Sequence, residues 1–262
     1  DVEIPSRHLG LSLDEDFCFE EFADRVAELV EKYVDIDRLL ELTKQVAPAA
    51  LPMSVSHRTY RREPSFTVAI ARDPAFNFMY EANIRYLHHL GEVTYFSPLA
   101  DTSLPDAGFV YLPGGYPELY LAALSANRLM LQSIRRYVEN GGKLLAECGG
   151  MMYLCDEIRD KNGDVYPMAG VLHQSATMEN MKLRLGYRTL LYNDARLKGH
   201  EFHYSRLVEQ QDPLPSCAVA YTAKGVETDT PLYHYKNVWA GYTHLYWADP
   251  AGNDWFTKFI IK

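Results

Sequence analysis

Cysteine is scarce and unpatterned. Four occur in 262 residues, Cys18, Cys148, Cys155 and Cys217, with no CxxC spacing. That excludes a disulfide framework and reads as reduced, cytoplasmic thiols. Long hydrophobic runs are missing too. None approaches the ~18 apolar residues a membrane helix needs, and the acidic start Asp1-Val2-Glu3-Ile4-Pro5 is no signal peptide. Positive charge is in deficit: 26 Lys and Arg face 35 Asp and Glu, a formal net charge of −9. This disfavours nucleic acid and anionic membranes as partners. No GxxxxGK[ST] loop cradles nucleotide phosphates, no HExxH offers a zinc pair, and no repeat or low-complexity tract is present. What remains is 47% hydrophobic residues, enough for one large domain or two small ones.

Periodicity divides the chain. Phe22, Val26, Leu29, Val30 and Tyr33 fall on one apolar face, which predicts a helix within residues 17–46. Asp35 reads as the N-cap of a second short helix, Ile36 to Lys44. Pro48, Pro52 and Pro64, with Arg58, Arg61 and Arg62, break the pattern and predict an inter-domain linker. From Phe66 onward strands alternate with helices. Strands are expected at 67–71, 93–96, 108–112 and 143–146, and helices at 78–90 and 118–139. That alternation predicts a parallel sheet with right-handed crossovers, whose ligands bind at the carboxyl ends of the strands. Short alternating runs at 181–191, 201–209, 217–222 and 238–243 predict antiparallel or mixed strands, and 248–262 a closing amphipathic helix.

Two glycine turns fall at those strand ends. In Leu144-Leu145-Ala146-Glu147-Cys148-Gly149-Gly150 an apolar strand stops, a thiol follows, and a helix-compatible stretch begins. This is the layout of a nucleophile elbow. A helix start would lower the thiol's pKa and favour the thiolate. A buried structural cysteine fits the same residues equally well. The second turn, Leu112-Pro113-Gly114-Gly115, can aim backbone N–H groups outward as oxyanion donors, although Pro-Gly-Gly is also a common turn.

A nucleophilic thiol needs a base. His200 and His203 flank Glu201, but a strand puts the two rings on opposite faces, which is unlike a metal pair. His88 and His89 belong to a helix surface, and His8, His57 and His234 have no partner motif. His244, at the end of Val238-Trp239-Ala240-Gly241-Tyr242-Thr243, follows the Cys-then-His order of elbow enzymes. A half-buried histidine capping a strand fits as well.

Four motifs in order, LPGG (112–115), AECGGMMYL (146–154), GHEFHYS (199–205) and GYTHLYW (241–247), resemble the glutaminase domain of the cobyrinic acid a,c-diamide synthase family. This is a class I, triad-type glutamine amidotransferase module. Ser6-Arg7-His8-Leu9-Gly10-Leu11 resembles the end of that family's ATP-dependent synthetase domain. The resemblance covers essentially the whole chain. It implies an α/β, flavodoxin-like, mostly parallel sheet with flanking helices, preceded by a short helical segment. The expected division is 1–46 synthetase tail, 47–65 linker and 66–262 glutaminase domain. With no initial Met and the family's first half absent, a C-terminal fragment is expected, able at most to hydrolyse glutamine.

By resemblance Cys148 is the nucleophile and His244 the general base and acid. Gly115 and Gly149 supply oxyanion N–H groups, and Gly114, Glu201, His203 and Tyr204 line the glutamine pocket. No metal is expected here; ATP and Mg belong to the full-length enzyme. The implied partners are glutamine and a corrinoid acceptor reached through the synthetase domain, and a homodimer is allowed. Cobyric acid synthase, a nickel-tetrapyrrole diamide synthase and a thiol hydrolase on the same fold are the alternatives. One departure stands out. Many triad amidotransferases carry Glu two positions after the His, where this chain has Tyr246, so the orienting partner of His244 is unnamed.

Overall fold

A computed structural model describes residues 18–44, 66–209, 211 and 213–258. The expected linker and the motif at residues 6–11, with His8 and His57, lie outside the described residues. The chain divides into two compact units, residues 1–59 and 60–262.

In the first unit, helices α1 (Phe19–Tyr33) and α2 (Ile36–Lys44) form. Asp35 Oδ1 accepts the backbone N–H of Arg38 at 2.8 Å, the expected N-cap bond. No residue of either helix is buried.

The second unit runs β1 (Thr67–Ala71), α3 (Glu81–Leu90), β2 (Glu92–Phe96), β3 (Phe109–Leu112), a 3₁₀ turn (Pro117–Leu119), α4 (Leu121–Ala126), α5 (Arg128–Glu139), β4 (Lys143–Glu147) and α6 (Gly149–Leu154). Short strands β5 (Glu157–Arg159), β6 (Val165–Pro167) and β7 (Ser175–Thr177) follow. Next come β8 (Arg184–Tyr192), β9 (Ala195–His203), β10 (Arg206–Leu207), β11 (Val219–Thr222), β12 (Glu227–Thr228) and β13 (Leu232–Tyr235). The described chain closes with β14 (Val238–Gly241), β15 (His244–Tyr246) and α7 (Pro250–Phe256).

Six strands in the order β13-β14-β4-β3-β1-β2 build the main sheet, all parallel except β13 at one edge. Val110, Leu112, Leu144 and Ala146 face one core with α5 and α6. Val68, Ile70, Phe109, Tyr111 and Leu145 face the other with α3, Trp247 and Phe256. Burial on both faces explains why these strands read as continuous apolar runs. Each fully buried Leu, Ile or Phe adds about 2 kcal/mol of apolar transfer.

Several expected elements are corrected. The single helix over 118–139 is a 3₁₀ turn and two helices, because Asn127 interrupts it. Its Oδ1 accepts the N–H of Met130 at 3.3 Å and caps α5, and its Nδ2 donates to Pro98 O and Asp101 O, both at 2.8 Å. Helix α3 starts at Glu81 rather than 78, since Phe78 pairs with Gly114 instead. The run 201–209 holds the end of β9 and the separate β10, while most of β9 lies upstream.

The run 238–243 also changes sheets. Strand β14 ends at Gly241 in the main sheet. β15 begins at His244 in a second, antiparallel sheet of order β12-β11-β8-β9-β15. That transfer carries His244 to the carboxyl edge of the parallel sheet.

Candidate active site

Strand β4 delivers Cys148 in a backbone conformation few L-residues adopt, φ 48° and ψ −108°. Such strain costs of order 1–3 kcal/mol and persists only where the surroundings enforce it. Here the Cys148 N–H donates to Gly241 O at 2.8 Å, and the Cys148 carbonyl accepts from Met152 N–H at 3.0 Å. Helix α6 starts at the next residue.

The Gly114–Gly115 turn lies against this elbow. Gly114 O accepts from Phe78 N–H at 3.0 Å, and Tyr116 N–H donates to Ala75 O at 2.9 Å. A Cβ on Gly115 would lie 2.2 Å from Ala75 O, and one on Gly114 would lie 2.2 Å from His244 Cε1. A Cβ on Gly149 would meet Gly115 O at 3.2 Å. One turn therefore touches the histidine ring on one side and the residue after the cysteine on the other. Cys148, Gly149, Gly114, Gly115 and His244 are brought together.

The His244 ring is held on several sides. Phe78 meets it edge-on with centroids 4.5 Å apart, and His200 stacks on it at 5.0 Å and 24°. His200 is anchored in turn by Tyr80, whose hydroxyl lies 2.6 Å from His200 Nδ1. Burial, then the neighbouring His200 and His203, push the His244 pKa down to about 3, so the ring is neutral at physiological pH.

The thiol reverses an expectation. Burial, the largest cause, and the carboxylates Glu118, Glu147 and Glu201 push the Cys148 pKa well above the ordinary thiol range, and the Gly149 N–H offsets this only in part. Desolvation outweighs the start of a six-residue helix. The resting pair is a neutral thiol and a neutral imidazole. For such a pair to act as nucleophile and base, proton transfer would have to accompany attack instead of preceding it.

Glu201 and His203 line a cavity of about 310 Å³ with Arg184, Ser205, Asp229 and Tyr242. His203 stacks on Tyr242 with centroids 3.8 Å apart and hydrogen-bonds Ser205 O through Nδ1 at 2.8 Å. Its buried Nε2 has no hydrogen-bond partner. Glu201 Oε2 lies 2.9 Å from Arg188 Nη2, an ion pair misaligned for a hydrogen bond. Tyr242 follows Gly241, whose carbonyl accepts from the Cys148 N–H at 2.8 Å, so one lining residue of the cavity is a chain neighbour of the elbow's backbone partner. Tyr204 is half-buried against the core and is not among the lining residues.

Three contacts of the His244 ring were not assigned from the sequence. Phe78 and His200 touch the ring from distant segments; no local signal marks Phe78, and His200 stood out only as half of a metal pair with His203 and as part of the 199–205 motif. Glu147 stood inside the AECGG motif: its carboxylate is 2% exposed, and Oε2 lies 4.0 Å from His244 Nδ1. Among the described residues no three His, Cys, Asp or Glu side chains cluster to hold a metal ion. Neither glycine turn is an open phosphate cradle: the His244 ring and the Ala75 carbonyl lie against Gly114 and Gly115, and Pro117 and the Leu112 carbonyl lie against Gly149 and Gly150. No described helix is long and apolar enough to cross a membrane.

A family model of the CobB/CobQ-like glutamine amidotransferase domain matches residues 67–252. A hydrogenobyrinate a,c-diamide synthase of Pseudomonas aeruginosa is 36% identical over 253 residues, covering 94% of this chain and 55% of the relative. A cobyrinate a,c-diamide synthase of Dehalococcoides mccartyi is 37% identical over 268 residues, covering 95% and 56%. The chain thus spans about half the length of the curated relatives it matches. A solved structure of PurLQS from Thermotoga maritima is 18% identical, covers 68% of this chain and 87% of its own, and has a TM-score of 0.49.

Proposed function

The chain belongs to the CobB/CobQ-like glutamine amidotransferase domain family, and from that premise we propose that it releases ammonia from glutamine through a thioester on Cys148. The observation that carries the reading is the strained Cys148 turn, packed through Gly149 and Gly115 against a glycine that lies under the His244 ring. A structural thiol needs neither the strain nor that company.

In this proposal the Cys148 Sγ attacks the side-chain amide carbon of glutamine while its proton passes to His244. The amide oxygen becomes a tetrahedral oxyanion, which accepts from the backbone N–H groups of Gly115 and Gly149. Each such donor contributes roughly 3 kcal/mol in known enzymes. His244 gives its proton to the departing ammonia, then takes one from water, which hydrolyses the thioester to glutamate and restores the thiol. A histidine neutral at rest suits the first step, since it must accept a proton before it donates one. Gly114 shapes the floor of the site. Glu201 and His203 bound the amino-acid end of the pocket, supported by the cavity they line and by the unpartnered His203 Nε2. Tyr204 follows the end of β9 and is packed against the core, so it is not assigned to the pocket.

The ammonia would amidate the a and c side-chain carboxylates of a corrin-type acceptor, the reaction class named in the relatives. Residues 1–46 would be the tail of the synthetase domain, joined by a linker over 47–65. ATP and Mg²⁺ would act on the acceptor side, in the part of the relatives' length this chain does not span. The sequence carries no GxxxxGK[ST] phosphate loop, and the two described glycine turns are filled from within, which supports that division.

Labelling by 6-diazo-5-oxo-norleucine, with the modified peptide located by mass spectrometry, tests the reading. Labelling confined to Cys148 and suppressed by glutamine is expected. Alkylation of Cys148 by general thiol reagents, with no glutamine protection against the analogue, would instead point to a thiol hydrolase.

A further inference from the structure

His244 Nδ1 is buried and has no hydrogen-bond partner, and the position two residues on, where a triad acid would stand, is Tyr246. A carboxylate oxygen nevertheless lies 4.0 Å from that nitrogen, on the residue immediately before the nucleophile. We propose that Glu147 is the positioning residue for His244, its carboxylate accepting a hydrogen bond from Nδ1–H so that Nε2 is left to exchange a proton with Cys148. The proposal rests on the glutaminase reading of Cys148 and His244.

Strand geometry explains how two consecutive residues serve opposite ends of one imidazole. Successive side chains of β4 alternate between the sheet's faces. Ala146 lies in the core on one face and Leu145 in the core on the other. Glu147 follows Leu145 in that alternation and reaches Tyr111, while Cys148 belongs with the Ala146 face. The loop between β14 and β15 brings His244 to the edge where both faces are within reach.

The carboxylate is itself fixed. Tyr111 donates its hydroxyl to Oε2 at 2.7 Å, and the Leu245 N–H donates to Oε1 at 3.1 Å. Leu245 follows His244, so the second bond ties Glu147 to the backbone that carries the ring. Phe78, His200 and Gly114 restrain the ring's remaining sides. Closing 4.0 Å to a hydrogen bond takes a movement of about 1 Å, and such bonds are commonly long before substrate arrives.

At rest near neutral pH the ring is neutral and the carboxyl about half ionised. Burial pushes Glu147 up to about 7, offset in part by the Tyr111 and Leu245 bonds, and pushes His244 down to about 3. When His244 takes the thiol proton it becomes a cation beside Glu147. The ionised carboxylate stabilises it, and the protonated acid does not. Turnover should therefore fall as pH drops through about 7. Other titratable groups face the pair: Tyr111 from β3, Tyr80 ahead of α3, His200 and His203 from β9, and the Cys148 thiol. Tyr80 is pushed up to about 12 and Tyr111 higher, whereas His203 is pushed down to about 4 and His200 also downward. None of them is placed to produce a limb near pH 7.

Glutaminase kinetics of the full chain against pH, for wild type, Glu147→Gln and Glu147→Asp, provide the test. Gln retains an oxygen for Tyr111 or Leu245 and so spares the fold. Loss of kcat by about 100-fold is expected in Glu147→Gln, less than the roughly 10⁴-fold for the orienting acid of serine proteases, because the contact here is 4.0 Å at rest. The glutamine KM should stay within about twofold, and the limb near pH 7 should disappear. Glu147→Asp should retain the limb at lower kcat. Wild-type kcat in Glu147→Gln, or a reduced kcat with the limb intact, would overturn the proposal. Nitrogen NMR of ¹⁵N-histidine-labelled wild type reads the ring without turnover, with the His244 signals assigned by their loss in His244→Gln. The Nδ1–H tautomer is expected, and the Nε2–H tautomer overturns the proposal. A wild-type chain that shows the Nδ1–H tautomer but no glutamine turnover would count against the glutaminase reading alone.

Discussion

Cys148 and Cys155 stand at the two ends of the same short helix, α6, and differ in almost nothing that a survey of thiols would record. Both are buried, 6% and 0% exposed, and burial pushes both pKa values far above the ordinary thiol range. Their surroundings differ entirely. Cys155 closes α6 in relaxed extended backbone, φ −63° and ψ 169°, with its Sγ turned to Met151 O at 3.6 Å. Cys148 opens it in strained backbone, with a glycine turn, three carboxylates and a histidine-bearing strand end gathered round. Neither burial nor thiol acidity separates the two thiols; the enforced turn and what it faces do.

The comparison breaks most sharply at the two sulfurs themselves. Cys148→Ala should lower glutamine hydrolysis by at least about 10³-fold, because the covalent route is gone. Cys155→Ala should leave kcat within about twofold and cost about 1 kcal/mol of stability for the small cavity created. Steady-state kinetics paired with urea denaturation of both variants would settle it. Equal losses of activity would mean that α6 acts as one structural unit and that the elbow has no special standing.

A second substitution breaks the surroundings and keeps the sulfur. Gly114→Ala puts a methyl where His244 Cε1 lies only 2.2 Å away, with Phe78 and His200 blocking the ring's retreat. A ring displaced by about 1 Å should cost roughly 100-fold in kcat. Because Cys148 is untouched, slow alkylation by a small thiol reagent should persist. An unchanged kcat would show that His244 has room to move and that the Gly114 contact is incidental.

The elbow was legible because its signal is local. Leu144, Leu145 and Ala146 are apolar, Cys148 follows, and two glycines come next, all within one strand end. The parallel strands β1, β3 and β4 were equally plain, being buried on both faces. What was hidden depends on pairing between distant segments. Asn127 divides an apolar stretch that reads as one helix, because its side chain reaches Pro98 and Asp101 across the fold. Glu147 was in full view, yet only the β14-to-β15 transfer between sheets makes it a neighbour of His244. The thiol's pKa went the wrong way for the same reason. A helix start is a local feature, whereas burial and the charges of Glu118 and Glu201 are tertiary.

Electrostatics sharpen the comparison further, since the Cys148 end carries a strongly displaced carboxyl, Glu147, beside a strongly displaced histidine, His244. Folding pushes His244 from 6.5 down to about 3. Between those values the unfolded chain binds the extra proton, so this group's contribution to stability is lost as pH falls from 6.5. Glu147 is displaced from 4.5 up to about 7, so its slope is opposite: stability falls as pH rises through that window. The stability of wild type minus that of His244→Asn should therefore rise with pH between about 4 and 6.5, by up to roughly 1.4 kcal/mol per unit. The same difference for Cys155→Ala should be flat. A flat His244→Asn difference would mean the ring is solvated and titrates normally.

The smallest expected effect comes from the far side of the sheet's connections and serves as a control for all the others. Asn127 caps α5 through Oδ1 and holds two backbone carbonyls through Nδ2, yet it contacts nothing at the elbow. Asn127→Ala should cost about 1 kcal/mol for the cap, and somewhat more for the carbonyl of buried Pro98, whereas that of exposed Asp101 is readily rehydrated. Helix α5 precedes β4, so a structure-wide loosening of the elbow would appear here as lost kcat. An unchanged kcat beside a lowered urea midpoint is expected. It would show that the Cys148 turn is enforced by its own contacts, the Gly241 carbonyl and the glycine turn, and not by the general stability of the sheet. A kcat that tracks stability in Asn127→Ala would instead reduce the contrast between the two thiols to a difference in how far each lies from the weakest part of the fold.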